Sequence, residues 1–289
     1  MFDRCLSCIL CAVLVAAAPL RLACAQDVLK VDVNLVRVFA TVQSTRGEAV
    51  SGLSVSDFRI FEDDVEQKIS VFEKDEAVQS SIGILLDNSG SMVDTLPAMK
   101  SGILDFAQKT RRSDELFVMT FGARVRVLQD VDQPVKNLES AFRTMDANGT
   151  SVLFDALLEA IAKVERSGHE RKALIVFTDG YDNGSKAGFG AVTLAAQRSG
   201  VLLYFIPIGA RMLIDQPTVN SLAALSGGRV IYLASNDPVR PAMESIRAEL
   251  SRQYYLGYYV QRSPGAHHIR VEAPGRDLRI RSKTGYMVN

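Results

Sequence analysis

The string Leu85-Leu86-Asp87-Asn88-Ser89-Gly90-Ser91 puts one carboxylate and two hydroxyls at alternate positions directly after an apolar run. Three short oxygen-bearing side chains in one tight turn can face a single point. Oxygen-only ligation of that kind suits a hard cation such as Mg²⁺, Mn²⁺ or Ca²⁺. The same residues have a purely structural reading, in which Asp87 closes an Asx turn and Ser91 caps the following helix. Two further strings bear on the choice. Phe177-Thr178-Asp179-Gly180 places a second carboxylate after another apolar run. Asn148-Gly149-Thr150-Ser151 supplies a glycine-permitted loop with two hydroxyls, just ahead of Leu153-Phe154-Asp155-Ala156-Leu157.

For these groups to meet, their runs must be neighbouring strands ending on one edge. Ile82-Gly83-Ile84-Leu85-Leu86 is continuous, apolar and too short for a helix, as expected of a parallel strand buried on both faces. Further strands are expected at Leu116–Phe121, Val125–Leu128, Ala173–Phe177, Val201–Ile206 and Val230–Leu233. Helices are expected at Leu96–Lys109, Pro134–Met145, Leu153–Glu165, Phe189–Ser199, Thr218–Leu225 and Val239–Ser251. Such alternation predicts an α/β fold with a doubly wound, mostly parallel sheet. In sheets of that kind ligands bind beyond the carboxyl ends of the strands, which is where Asp87 and Asp179 fall.

Both ends of the chain read differently. Val28–Val42 alternates apolar and polar residues, with Val31, Val33 and Leu35 on one face, as a half-buried strand does. A turn at Arg46-Gly47-Glu48, a capping-box turn at Ser54-Val55-Ser56-Asp57, and strands at Phe58–Glu62 and Ile69–Phe72 follow, with an acidic turn at Asp63-Asp64. After Ser251, strands are expected at Tyr254–Val260, His268–Val271 and Leu278–Ile280. The economical arrangement is an inserted α/β domain at residues 79–251. The β-rich flanks, 26–78 and 252–289, then pair into one small sandwich or sheet.

The Asp87-x-Ser89-x-Ser91 string with the later Thr178-Asp179-Gly180 resembles the von Willebrand factor type A family, over about Ser81 to Ser251. That family carries a metal-ion-dependent adhesion site. The resemblance implies that Ser89 and Ser91 ligate the ion directly and that Asp87 and Asp179 contact it directly or through water. The family's threonine lies four residues before the aspartate of the D-A-L helix. Here that position is Ser151, with Thr150 one place early, so either hydroxyl is a candidate. The flanks, with Val50-Ser51-Gly52-Leu53, Asp57–Asp63, Gln253–Tyr258 and Thr284-Gly285-Tyr286, are similar to exported bacterial proteins that hold such a domain between β-rich ends.

Composition narrows the setting. The 289 residues balance 33 Lys+Arg against 33 Asp+Glu and are 47% hydrophobic, ordinary for a chain that can bury a core. No global basic field invites nucleic acid. All four cysteines, Cys5, Cys8, Cys11 and Cys24, fall in residues 1–25, where Arg4, an apolar run to Leu20 and Ala23-Cys24-Ala25 have the layout of a cleaved secretory signal. The apolar run is short for a membrane span, and Arg21 occupies the position where a lipoprotein signal wants an aliphatic residue. An exported chain, periplasmic or secreted, without thiols and with no stable membrane span after cleavage, is the expectation.

Catalytic readings find less support. Asp182 is the one nearby candidate for the general base of a metallohydrolase, and it reads more readily as a loop residue or cap. Ser89 lacks the preceding glycine of a nucleophile elbow, and the available bases are His169, His267 and His268. The His267-His268 pair reads as a solvated strand end, Tyr254, Tyr255, Tyr258 and Tyr259 as sheet packing, and Arg111-Arg112 as a solvated loop. No phosphate-binding glycine motif is present. The expectation is a non-enzymatic module, metal-dependent through Asp87, Ser89, Ser91, Thr150, Ser151 and Asp179. It holds a divalent cation, Mg²⁺ first, and captures an Asp or Glu carboxylate of a partner protein. A structural module in which the metal steadies loops, and a metal-assisted hydrolase, are the alternatives.

Overall fold

A computed structural model describes residues 33–74, 78–131, 133–145, 147, 149–208, 214–233, 239–261 and 263–288. The expected leader, the start of the first expected strand, and Asn148 lie outside them. The N-terminal segment forms β1 (Val33–Ser44), β2 (Arg59–Glu62), β3 (Val65–Gln67) and β4 (Ile69–Glu73). The capping box holds: the Asp57 carboxylate accepts the Ser54 backbone N–H at 2.8 Å, within a single 3-10 turn at Val55–Asp57. The acidic turn is as sharp as it reads, because Asp63 and Asp64 both have positive φ, 49° and 64°. That twist suits a tight hairpin, and Asp tolerates it better than bulky residues.

The central unit runs β5 (Ser80–Asp87), α1 (Leu96–Lys109), β6 (Glu115–Phe121), β7 (Val125–Gln129), α2 (Val135–Arg143), α3 (Leu153–Glu165), β8 (Arg171–Thr178), α4 (Phe189–Arg198), β9 (Val201–Pro207), α5 (Gln216–Ser226) and α6 (Val239–Leu250). Its sheet has the order β7-β6-β5-β8-β9, parallel except for the β6–β7 hairpin. Side-chain parity explains the unbroken apolar runs. Ile82, Ile84, Leu86, Ile175 and Phe177 pack under α1, α2 and α6, with Met99, Phe106, Leu138 and Ile246. Leu85, Leu174, Val176, Leu203 and Phe205 pack on the other face under α3, α4 and α5, with Leu157, Ile161, Val192 and Leu222. Both faces are covered, so both parities must be apolar.

The chain leaves β5 toward β6 on one side and returns to β8 on the other. The gap beyond the carboxyl ends of β5 and β8 is therefore the switch point of the sheet, the crevice such folds use for ligands.

The C-terminal segment adds β10 (Tyr254–Gln261), β11 (Gly265–Glu272), β12 (Leu278–Arg281) and β13 (Gly285–Val288). These pair with the N-terminal strands in two antiparallel sheets, β12-β1-β10-β4 and β13-β11-β2-β3. Val36, Val38, Ala40, Phe58, Ile60, Tyr254, Leu256 and Ile269 share the core between them. That core face of β1 is the one opposite Leu35, which is half-buried. A single strand cannot show which of its faces meets a second sheet.

Two expectations need correction. Val230–Leu233 is not a strand: Val230 makes one isolated parallel bridge to Phe205. Phe205 exchanges backbone bonds with Arg229 and Ile231 at that one register, and beside Leu203 the chain just after α5 closes on β9. There Ser226 Oγ accepts the Leu203 N–H at 2.9 Å, and Gly228 crosses so close that an added Cβ would lie 1.9 Å from the Leu203 carbonyl oxygen. His267 is not solvated but 9% exposed, stacked on Tyr286. Its Nε2 lies 2.9 Å from the Ser263 carbonyl oxygen and its Nδ1 2.8 Å from Asp63 Oδ2. Strands β3 and β13 also form from segments too short and mixed to signal themselves. The tyrosines of β10 behave as packing residues; only Tyr259, 54% exposed, stands free.

Candidate functional site

Asp87 ends β5 and Asp179 directly follows β8, so adjacent parallel strands deliver the two carboxylates to one edge. Each acid divides its oxygens in the same way. Asp87 Oδ1 accepts the Ser89 N–H at 2.9 Å, and Asp179 Oδ1 accepts the Tyr181 N–H at 3.0 Å. These are the Asx-type bonds of the structural reading, and they use one oxygen of each acid. The other oxygens turn inward. Asp87 Oδ2 receives the Thr178 hydroxyl at 3.0 Å and the Ser151 hydroxyl at 3.5 Å, while Asp179 Oδ2 receives the Ser91 hydroxyl at 2.9 Å. Ser89 Oγ and Ser91 Oγ lie 3.1 Å apart and close the chain. Ser91 does not cap α1, whose N-cap is Thr95.

The six residues singled out from sequence thus divide. Asp87, Ser89, Ser91, Ser151 and Asp179 share one hydrogen-bonded set. Thr150 stands on its rim, exposed, its hydroxyl beside Gly184, where an added Cβ would meet it at 3.3 Å. Depth is graded: Asp87 is fully buried, Ser89 and Ser151 nearly so, Asp179 half-buried, and Ser91 open to solvent.

Loop geometry maintains this bowl. Gly149, at φ +82°, lets its carbonyl accept the Gly90 N–H at 3.3 Å, and Gly180, at φ +88°, turns the chain away behind Asp179. The Ser151 N–H donates to Asn183 Oδ1 at 2.8 Å, and the Val152 N–H to the Gly122 carbonyl at 3.0 Å. Asp155 accepts the backbone N–H groups of Lys186 and Ala187. Asp182 accepts from the Phe154 N–H and from Ser185, so it is a cap and not a free base. Thr178 and Asn183 went unassigned in the sequence. Thr178 stands in a string already notable, whereas nothing local marks Asn183.

The electrostatics of the bowl are one-sided. Among the described residues, the partners of Asp87 and Asp179 are hydroxyls and amides, with no ion pair. Burial pushes the Asp87 pKa up to about 6; bonds from Ser89 and Thr178 pull it back, and the charge of Asp179 adds to the rise. Two carboxylates and three hydroxyls converging without a cation form a donor set that fits a hard divalent ion. A second group of possible ligands, Glu62, Asp63 and His267, has its atoms within 4.8 Å of one another. There both ring nitrogens already face oxygen acceptors, the arrangement of an imidazolium. Donation to the Ser263 carbonyl and to Asp63 raises the His267 pKa. A ring donating from both nitrogens has no lone pair for a metal.

Residues 82–181 match the von Willebrand factor type A domain family. The central unit is a domain of that family. No curated protein matches the chain by sequence. Among solved structures, a von Willebrand factor type A protein from Catenulispora acidiphila shares the fold at 12% identity, over 86% of this chain and 71% of that one, with a TM-score of 0.52. Proximal thread matrix protein 1 from the mussel byssus, with a zinc-occupied MIDAS motif, matches at 19% identity and a TM-score of 0.54. That match covers 66% of this chain and 50% of the mussel protein, so the chain spans half the length of that relative. No described helix is long and apolar enough to cross a membrane.

Proposed function

We propose that the chain is an exported, divalent-metal-dependent protein-binding module, in which the bowl at the β5–β8 edge holds a cation that captures a partner's Asp or Glu carboxylate. The supporting observation is the convergence of Asp87 Oδ2, Asp179 Oδ2 and the Ser89, Ser91 and Ser151 hydroxyls, buried at the floor and open at Ser91. Domains of this family are in general protein-interaction modules. In this reading Ser89, Ser91 and Ser151 turn their lone pairs toward the ion, Asp87 supplies charge from below, and Asp179 closes the side. Thr150 serves from the rim. Because every donor is oxygen, the ion is a hard one: Mg²⁺ is the one proposed, with Mn²⁺ and Ca²⁺ as the alternatives. When bound, the ion supplies an electrophilic position for an incoming carboxylate.

Direct bonds between the loops, Gly90 to Gly149 and Ser151 to Asn183, disfavour a metal that serves loop stability alone. The engagement of Asp182 disfavours a hydrolase. Calorimetric titration of Mg²⁺, Mn²⁺ and Ca²⁺ into wild type and Asp87→Ala tests the site: saturable binding to wild type alone is expected, and its absence would sink the reading. Capture of an envelope protein that chelator abolishes is expected next. Chelator-induced loss of stability with no captured partner would return the structural alternative.

A further inference from the structure

The β6–β7 turn lies against the metal loops. The Gly122 carbonyl holds the Val152 N–H, and the Cβ of Ala123 would sit 3.6 Å from one added at Gly149, whose carbonyl holds Gly90. Beside this turn runs an open groove of about 320 Å³ whose lining includes Asn88, Thr120, Arg124, Arg126 and Thr144. Asn88 follows Asp87 directly in the chain, so groove and bowl share a wall. Arg124 and Arg126 are exposed, and neither has an ion pair or side-chain hydrogen bond among the described residues. Arg126 stands on β7 and Arg124 in the turn just before it, two residues away, and both line the one groove.

This placement meets an electrostatic need. The bowl is negative, so an acidic segment approaching it is repelled until the cation compensates, and two free guanidiniums one loop away offset that repulsion. Arg presents a planar fork that matches carboxylates well. We propose that the Arg124–Arg126 groove is a second anchor for the partner. It takes acidic side chains that flank the metal-bound carboxylate, so the preferred partner segment is extended and carries acidic residues at alternate positions. The proposal rests on the metal-dependent binding reading and names the partner chemistry for it. Exposed charge pairs are individually weak, so the groove acts as a selector.

Two capped peptides test it, Gly-Ser-Asp-Ser-Gly and Asp-Ser-Asp-Ser-Asp, titrated in Mg²⁺ buffer with amide shifts as readout. Wild type should bind the second about ten- to thirtyfold more tightly, the two arginine contacts multiplying the statistical factor of about three that its three carboxylates give, with the preference shrinking as salt rises. In Arg124→Ala/Arg126→Ala the ratio should fall to that statistical factor, with melting temperature and Mg²⁺ affinity unchanged. A wild-type ratio that persists in the double variant overturns the proposal, as does failure of both peptides to bind. Equally tight binding of a heparin oligosaccharide through the same arginines also overturns it, reassigning the groove to polyanions. If the acidic peptide binds in chelator, and to Asp87→Ala, yet not to the double variant, the groove stands and the metal reading fails.

Discussion

Asp87 and Glu249 are both buried carboxylates, 0% and 7% exposed, and they sit in opposite company. Glu249, near the end of α6, accepts Arg229 Nε at 2.8 Å and the Tyr204 hydroxyl at 2.7 Å, and it pairs with Arg281 of β12. Thr41 of β1 reaches it at 3.4 Å. This acid joins the α/β unit to both flanks, and its charge is met by two guanidiniums. Asp87 meets only hydroxyls, amides and a second acid. A buried charge without a counter-charge is costly. Glu249 is thus an acid whose charge the fold itself compensates, and Asp87 one whose charge it does not.

Isosteric neutralisation should have opposite signs at the two positions. Glu249→Gln leaves Arg229 and Arg281 without their charge partner, and chemical denaturation should show a loss of about 2–3 kcal/mol, somewhat discounted because each arginine is about a quarter exposed. Adding Mg²⁺ should not restore it.

Saturating divalent ion should stabilise wild type by about 2.7 kcal/mol at a hundredfold excess over Kd, read as a shift in the denaturation midpoint. The gain should vanish in Asp87→Asn. Without metal the same Asp87→Asn change should raise stability by about 1–2 kcal/mol at neutral pH, because it removes a buried, uncompensated charge. A destabilised metal-free Asp87→Asn would mean that the fold does compensate the Asp87 charge.

The smallest effect concerns His267, a compensated group like Glu249. Its folded pKa lies above the ordinary value near 6.5. The bonds to Asp63 and Ser263 therefore contribute fully below that value and are lost as pH rises through the folded pKa. Wild type should lose about 1 kcal/mol across that window, and His267→Gln should show a flatter profile there.

Local patterning carried much of the architecture. The limits of α1 and α3, Leu96–Lys109 and Leu153–Glu165, follow from apolar spacing, and Ile82–Leu86 announced a strand covered on both faces. Asp87-x-Ser89-x-Ser91 and Thr178-Asp179-Gly180 were visible as oxygen-rich turns because turn chemistry is contiguous. Which oxygen of each acid points inward was not visible, nor that Ser151 rather than Thr150 faces Asp87, nor that Asn183 holds the Ser151 amide. Those depend on how loops from β5, β6 and β8 stack against one another. The same limit applies to His267, whose neighbour Asp63 is distant in the chain, and to Val230–Leu233, whose strand-like composition gained one bridge to Phe205 and no more. Periodicity and turn chemistry are properties of neighbours along the chain. Charge compensation, and so the difference between Asp87 and Glu249, is a property of neighbours in space.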